Sequence, residues 1–299
     1  MMSMIADKES LFEKLRSGSP ILQRVAISEL RETLDPQAVE PLADVIRTSS
    51  RGVGTEAARV LAKIGEPSVA ALIQLLSEST HDVWVLASAT LLMIGTKAVP
   101  GLMEAARSRN VQLQTLAIAV LGQIGDSRPV ALLVDAVQSD EHSLQAAAAV
   151  ALIRIGADAV APLLEVMAAF DKPTSRRTAI EVLKQIGEEA IDPLIHALYE
   201  ATDLERNQAS WMLGEIGGSA TERLLTALYS DDTRVRYAAA LALGQMRNEV
   251  AVPELIKRLD DEAYSDPIGK RVCDAAANAL ERINTSDARA AIKGWRGEH

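Results

Sequence analysis

Few side chains in this sequence are suited to chemistry, and their spacing limits what they can do. The 299 residues include four histidines, His81, His142, His196 and His299, and one cysteine, Cys273. Zinc sites recruit histidine and cysteine at short, fixed separations, and these five residues show none. A cysteine nucleophile needs a neighbour that holds it as thiolate. No histidine lies close to Cys273 in sequence, so a structural thiol is the reading. There is no phosphate loop ending in Lys-Ser or Lys-Thr and no Gly-x-Ser-x-Gly, and Gly217-Gly218 reads as a helix stop. No catalytic residue, cofactor or metal is therefore expected. Arg176, Arg206 and Arg236 are different, because they recur every 30 residues. On consecutive helices they form a possible arginine ladder about 10 Å apart, able to grip an acidic peptide or phosphate groups. The plainer reading, which we favour, pairs each with an acidic residue at a neighbouring join.

The same period runs through the whole chain. In the stretch NQASWMLGEIG (207–217), Ala209 lies seven residues before Ile216, Leu213 lies three before it, and Gly217 follows. The frame returns at Ala57, Leu61, Ile64 and Gly65, at Ala117, Leu121, Ile124 and Gly125, and at Ala179, Leu183, Ile186 and Gly187. Taking the place of Ile216 as a marker, the markers are Thr33, Ile64, Ile94, Ile124, Ile155, Ile186, Ile216, Met246 and Ile283. Seven of the eight intervals are 30 or 31 residues and the last is 37. Each unit reads as two helices. The first ends at the marker, with apolar residues at helical spacing and a glycine stop. The second follows within a few residues, as in SVAALIQLL (68–76), AVPGLMEAA (98–106), AVAPLLEVM (159–167) and AIDPLIHAL (190–198). Proline near its start, at Pro41, Pro100, Pro162, Pro193 and Pro253, removes an N–H that has no helical partner anyway. Thr80, Asp82, Asp140, Thr202, Asp203 and Asp231 at the joins suit N-caps. Thr33-Leu34 and Met246-Arg247 depart from the Ile-Gly pattern, and Trp211 fills a place held elsewhere by Arg59, Ala119, Val150 and Glu181.

Composition narrows the class. The chain is 48% hydrophobic but only 3% aromatic, and its formal net charge is −10. Small side chains suit closely packed helices. An acidic balance argues against a nucleic-acid partner, which needs a basic face. A lone cysteine fits a reducing compartment. The N-terminus lacks a signal-peptide pattern, and no run approaches 18 consecutive apolar residues. The expectation is a soluble, cytoplasmic protein with no membrane span.

Units of this length, with an "A…L..IG" first helix and an "AVxxL" second, resemble HEAT-like repeats, and more narrowly the short type of phycobilisome lyase proteins. The resemblance covers roughly residues 20–295. It implies an all-α, right-handed α-solenoid of about nine helix-pair repeats, with second helices lining the concave face. Residues 1–19 would be an N-terminal capping helix. Residues 20–299 would be a single array, with a longer acidic loop near 259–271 that carries Asp260, Asp261, Glu262 and Asp266.

Such an array presents a long ridged surface to a protein partner. Outward positions of the second helices include Glu40, Asp44, Gln74, Glu104, Asp135 and Glu165, which are mostly acidic, then His196, Tyr199, Arg223, Tyr229, Lys257 and Arg258. Aromatic and arginine side chains anchor interfaces. The last six are thus the expected partner-binding residues of a non-catalytic scaffold. The alternative is a bilin (phycocyanobilin) lyase subunit, or a protein that binds bilin or a phycobiliprotein. VRYAAALALGQM (235–246) and QASWMLGEIG (208–217) resemble stretches of those lyases, although their Ala and Leu belong to the packing frame. The HEAT-repeat deoxyhypusine hydroxylases hold two irons with His-Glu pairs. Here His81 precedes Asp82, His142 precedes Ser143 and His196 precedes Ala197, so no such site is expected.

Overall fold

A computed structural model describes residues 2–78, 81–169, 172–265 and 269–298, with side chains beginning at Glu9 and omitting 78–81 and 298. The expectations for Thr80, Asp266 and His299 lie outside the described residues. The chain forms two compact units, residues 1–151 and 152–299.

Each unit is an all-α stack of helix pairs. In the first, α1 (Met2–Arg16) precedes the pairs α2 (Pro20–Thr33) with α3 (Val39–Thr48), α4 (Arg51–Ile64) with α5 (Val69–Glu78), α6 (His81–Ile94) with α7 (Val99–Ala105), and α8 (Val111–Ile124) with α9 (Val130–Val137). The next first helix, α10 (His142–Ile155), runs across the division. The second unit continues with α11 (Val160–Ala168), α12 (Pro173–Ile186), α13 (Ile191–Glu200), α14 (Asp203–Ile216), α15 (Thr221–Ala227), α16 (Thr233–Met246), α17 (Val252–Lys257), α18 (Val272–Ile283) and α19 (Ser286–Glu298). Consecutive first helices pack on each other, as α4 on α6, α14 on α16 and α16 on α18.

Every marker from Thr33 to Ile283 is the last residue of a first helix. The residue after it takes positive φ in all nine units. Six are glycines, and the others are Leu34 (47°), Arg247 (50°) and Asn284 (60°). The two departures from the Ile-Gly pattern therefore leave the backbone unchanged and place side chains where they are disfavoured. The alanine seven before the marker is fully buried throughout, from Ala57 to Ala276, and Ala26 fills the same slot in the first unit. Glycine carries this further at two places. A Cβ on Gly122 or Gly244 would lie 2.5 Å from the Cα of Ala151 or Ala279, so those helix backbones touch. A second alanine slot opens each second helix, filled by Ala38, Ala98, Ala159, Ala190, Ala220 and Ala251, all fully buried. Ser68 takes it in the second unit of the repeat, and its buried hydroxyl has no hydrogen-bond partner.

Two expectations need correction. The caps at several joins fall on other residues. Thr202 forms a capping box with Glu205, but Asp232 caps α16 rather than Asp231, Asn110 caps α8, and Asp203 is the first residue inside α14. The insertion near 259–271 is more than a loop. Tyr264–Ser265 pairs antiparallel with Lys270–Arg271. The stretches Asp82–Ala105 and His142–Ala168 are long and apolar enough, by length and composition, to cross a membrane. Each is a first and a second helix joined at a left-handed glycine, Gly95 or Gly156, and Leu91, Leu102, Leu152 and Leu163 are buried against neighbouring helices.

Candidate partner-binding face

The six expected contact residues all lie on the second helices of the 152–299 unit or directly past their ends: His196 and Tyr199 on α13, Arg223 on α15, Lys257 on α17, with Tyr229 and Arg258 just beyond α15 and α17. Their shared register with the apolar frame turns them outward: Leu194, Leu224 and Leu255 are fully buried, while positions two and five residues later leave the core. His196, Tyr199, Arg223, Tyr229 and Lys257 are exposed, and Arg258 is partly covered. Tyr199 lies in α13 and Tyr229 in the turn just past α15, each five residues after a buried leucine of its unit, and they are 40% and 53% exposed.

The structure brings Tyr229, Lys257 and Arg258 together. The Tyr229 hydroxyl donates to Glu254, and the Arg258 guanidinium lies 4.5 Å over the Tyr229 ring, within range of a cation–π contact. Lys257 donates to Glu254 at 2.7 Å. Lys257 and then Tyr229 hold the Glu254 carboxyl below its ordinary range, and Glu254 raises Lys257 in return. Arg258 approaches Asp261 at 3.8 Å. Arg223 sits apart from that cluster's ion pairs and binds Asp192 of the preceding second helix at 2.6 Å. His196 and Tyr199 make no hydrogen bond among the described residues. The basic character read from the sequence is thus largely neutralised in place. Asp192, Glu254 and Asp261 are the residues sequence reasoning left out, although Asp192 and Glu254 stand in the first turns of their helices. What the face leaves free is aromatic surface.

The arginine series has another role at two of its three positions. Arg206 is only 4% exposed. It donates to the carbonyls of Leu198 and Ala201 at 2.6 and 2.8 Å and to Asp203 at 2.5 Å. Arg236 donates to the carbonyls of Ser230 and Asp231 and to Asp261. Their donors are spent inside the fold, so they do not form a row of free guanidiniums facing a partner. Arg176 is half-buried, and its side chain makes no hydrogen bond among the described residues. The same slot, ten before the marker, holds Gln23 and Gln145, which donate to Leu15 and Val137. In each case the side chain closes carbonyls at the end of the helix before it, groups that a helix terminus leaves without internal partners. Cys273 fills this slot in the last unit and is buried; burial pushes its thiol up and keeps it protonated at neutral pH.

Other features were not legible beforehand. In the 1–151 unit, Gly101 opens a depression of about 740 Å³ between α5 and α7, lined by Val69, Ala70, Ile73 and Pro100 with Glu66, Lys97, Glu104 and Arg107 at its edges. A Cβ at Gly101 would lie 2.7 Å from Val69. Besides Tyr264 on the hairpin and Trp295 on α19, the described aromatics of the 152–299 unit divide between two sets of helices. Tyr199 stands on a second helix and Tyr229 just past the end of one, and Trp211 and Tyr237 stand half-buried on first helices. They do not assemble the aromatic-lined pocket that bilin handling would want. Among the described residues, no three of His, Cys, Asp and Glu gather as metal ligands.

A stack of thirty-residue helix pairs with invariant stops defines a helical-repeat protein. The HEAT-repeat family matches residues 9–94, 99–184, 143–214 and 191–269, and the chain belongs to it. No curated protein matches the chain. Among solved structures, it is similar to human deoxyhypusine hydroxylase in complex with glycerol, with 19% identity over 85% of this chain and 99% of that one, TM-score 0.33. It is similar to the complex of CpcE and CpcF of phycocyanin lyase from Nostoc sp. PCC7120, with 22% identity over 58% of this chain and 97% of that one, TM-score 0.30. It is also similar to the karyopherin Kap121p, with 14% identity over 96% of this chain and 38% of that one, TM-score 0.44.

Proposed function

We propose that this HEAT-repeat protein is a non-catalytic scaffold that holds a protein partner against the second-helix face of its 152–299 unit. One observation carries the reading: Tyr199 and Tyr229 occupy equivalent register positions in consecutive units, one in α13 and one just past the end of α15, both exposed, beside charges already paired within the face. Tyrosine gives a large, stiff contact surface at low entropic cost, and truncating such an anchor weakens binding by about 2 kcal/mol or more. Paired charges at the edge set orientation and association rate.

The test is a pull-down with the tagged full chain, comparing wild type with the Tyr199→Ala, Tyr229→Ala double variant. Loss of the captured protein, with capture retained by Tyr264→Ala on the hairpin, is the expected result. Undiminished capture by the double variant removes this face. Charge reversal of Arg223 or Lys257 is a poorer probe, because it sets like charges against Asp192 or Glu254 and disturbs the face without any partner.

A further inference from the structure

The outer faces of the first helices differ sharply along the chain. Residues nine, five and one before each marker form one stripe, since steps of four stay on one side of a helix. In every unit these residues are exposed or half-exposed. In α4 the stripe carries Arg59 and Lys63, and in α12 it carries Arg177 and Glu181. Between them it has almost no charge. It reads Val85, Ala89 and Met93 on α6, Thr115, Ala119 and Gln123 on α8, and Ala146 and Val150 on α10. After Asp82, α6 contains no charged residue; α8 contains none, and α10 has only Arg154 at its end. Val85, Met93 and Val150 are 42%, 55% and 53% exposed.

We infer that this face of the 1–151 unit docks a second copy of the same chain. A two-fold contact sets a patch against a copy of itself, so a patch with a net charge faces the same net charge. For a chain of net charge −10, a face that carries little charge is the one that meets its copy without that repulsion. This face meets that requirement, whereas the second-helix face of the same unit, with Glu40, Asp44, Glu104 and Asp135, does not. The area is sufficient. Three helices of 14 residues, each about 21 Å long and packed about 10 Å apart, present about 600 Å² per copy. Two copies bury about 1,200 Å², the lower end of stable interfaces, and the dimer is expected to be weak, with a dissociation constant of about micromolar order. A membrane surface fits less well, because interfacial helices rim their apolar face with Lys and Arg and anchor it with Trp or Phe.

Sedimentation velocity on the full chain from about 1 to about 100 µM brackets the expected dissociation constant. The expected result is a transition from the 32.0 kDa chain mass to twice that mass. Met93→Glu and Val150→Glu, at exposed positions that leave the circular dichroism unchanged, are expected to weaken association at least tenfold, while Gln185→Glu on α12 has no effect. Because the contact carries little charge, changing the salt from about 0.05 to about 0.5 M is expected to leave it unweakened. A monomer at all concentrations overturns the inference, as does a dimer unaffected by both substitutions. So does flotation of a monomer with phosphatidylcholine vesicles that the same substitutions abolish.

Discussion

Single residues in this protein can be judged against their equivalents in the other units, and Ser68 is the clearest case. Six fully buried alanines fill its slot elsewhere, and its own hydroxyl is buried without a partner. Desolvating a hydroxyl with nothing in return costs about 1–3 kcal/mol. Ser68→Ala is therefore expected to stabilise the chain by about 1 kcal/mol, read as a higher urea midpoint with an unchanged slope; a lower midpoint would show that the hydroxyl contributes favourably. Leu34 and Arg247 are a different kind of exception. Their side chains tolerate a backbone conformation that the frame imposes, and the second to seventh units satisfy it with glycine.

At the scale of elements, a polar contact recurs at Gln23, Gln145, Arg206 and Arg236, each joining a first helix to the chain just before it. Arg206 is its fullest form, closing two carbonyls and holding Asp203 from a nearly sealed position. Arg206→Ala is expected to destabilise the chain by about 2–4 kcal/mol, since the carbonyls and the aspartate lose a charged donor together. Arg176→Ala, in the same slot with no side-chain hydrogen bond among the described residues, is expected to lie within about 0.5 kcal/mol of wild type. Equal losses in denaturant titrations would refute this account. The elements were largely legible in the sequence. Helix ends, alanine slots and outward positions recur in register, and each is a local consequence of helical geometry. The direction of a long side chain was not. Arg206 and Arg223 are both arginines on repeated helices, yet one reaches back over a helix end and the other reaches an aspartate on the preceding second helix. Period alone places the Cα and leaves the guanidinium undetermined. For the same reason the basic look of the candidate face did not survive the geometry, because its acidic partners lie on other turns and other helices.

For the molecule as a whole, acid is the informative perturbation. Asp126 is held below the ordinary carboxylate range chiefly by its hydrogen bond to Arg128, Glu215 by Lys184, and Asp232 by Arg234. A carboxyl whose value is lowered in the folded state stabilises the fold above its unfolded value, and that stabilisation fades as pH falls through the folded one. The thermal midpoint is thus expected to stay nearly level from pH 7 to about 5 and to fall below about pH 4, where unfolded carboxylates take up protons. A rise in midpoint between pH 4 and 3 would contradict the sign. The backward reach of Arg206 also fixes where this protein can be cut and rejoined. Donor and acceptor lie on opposite sides of the Ala201-Thr202 join, so a module excised there leaves its hydrogen-bonding partner behind. A module running from one glycine stop to the next, as from Gly187 to Ile216, carries both. For anyone lengthening or shortening the array, the transplantable unit begins with a second helix and ends with the first helix that follows it.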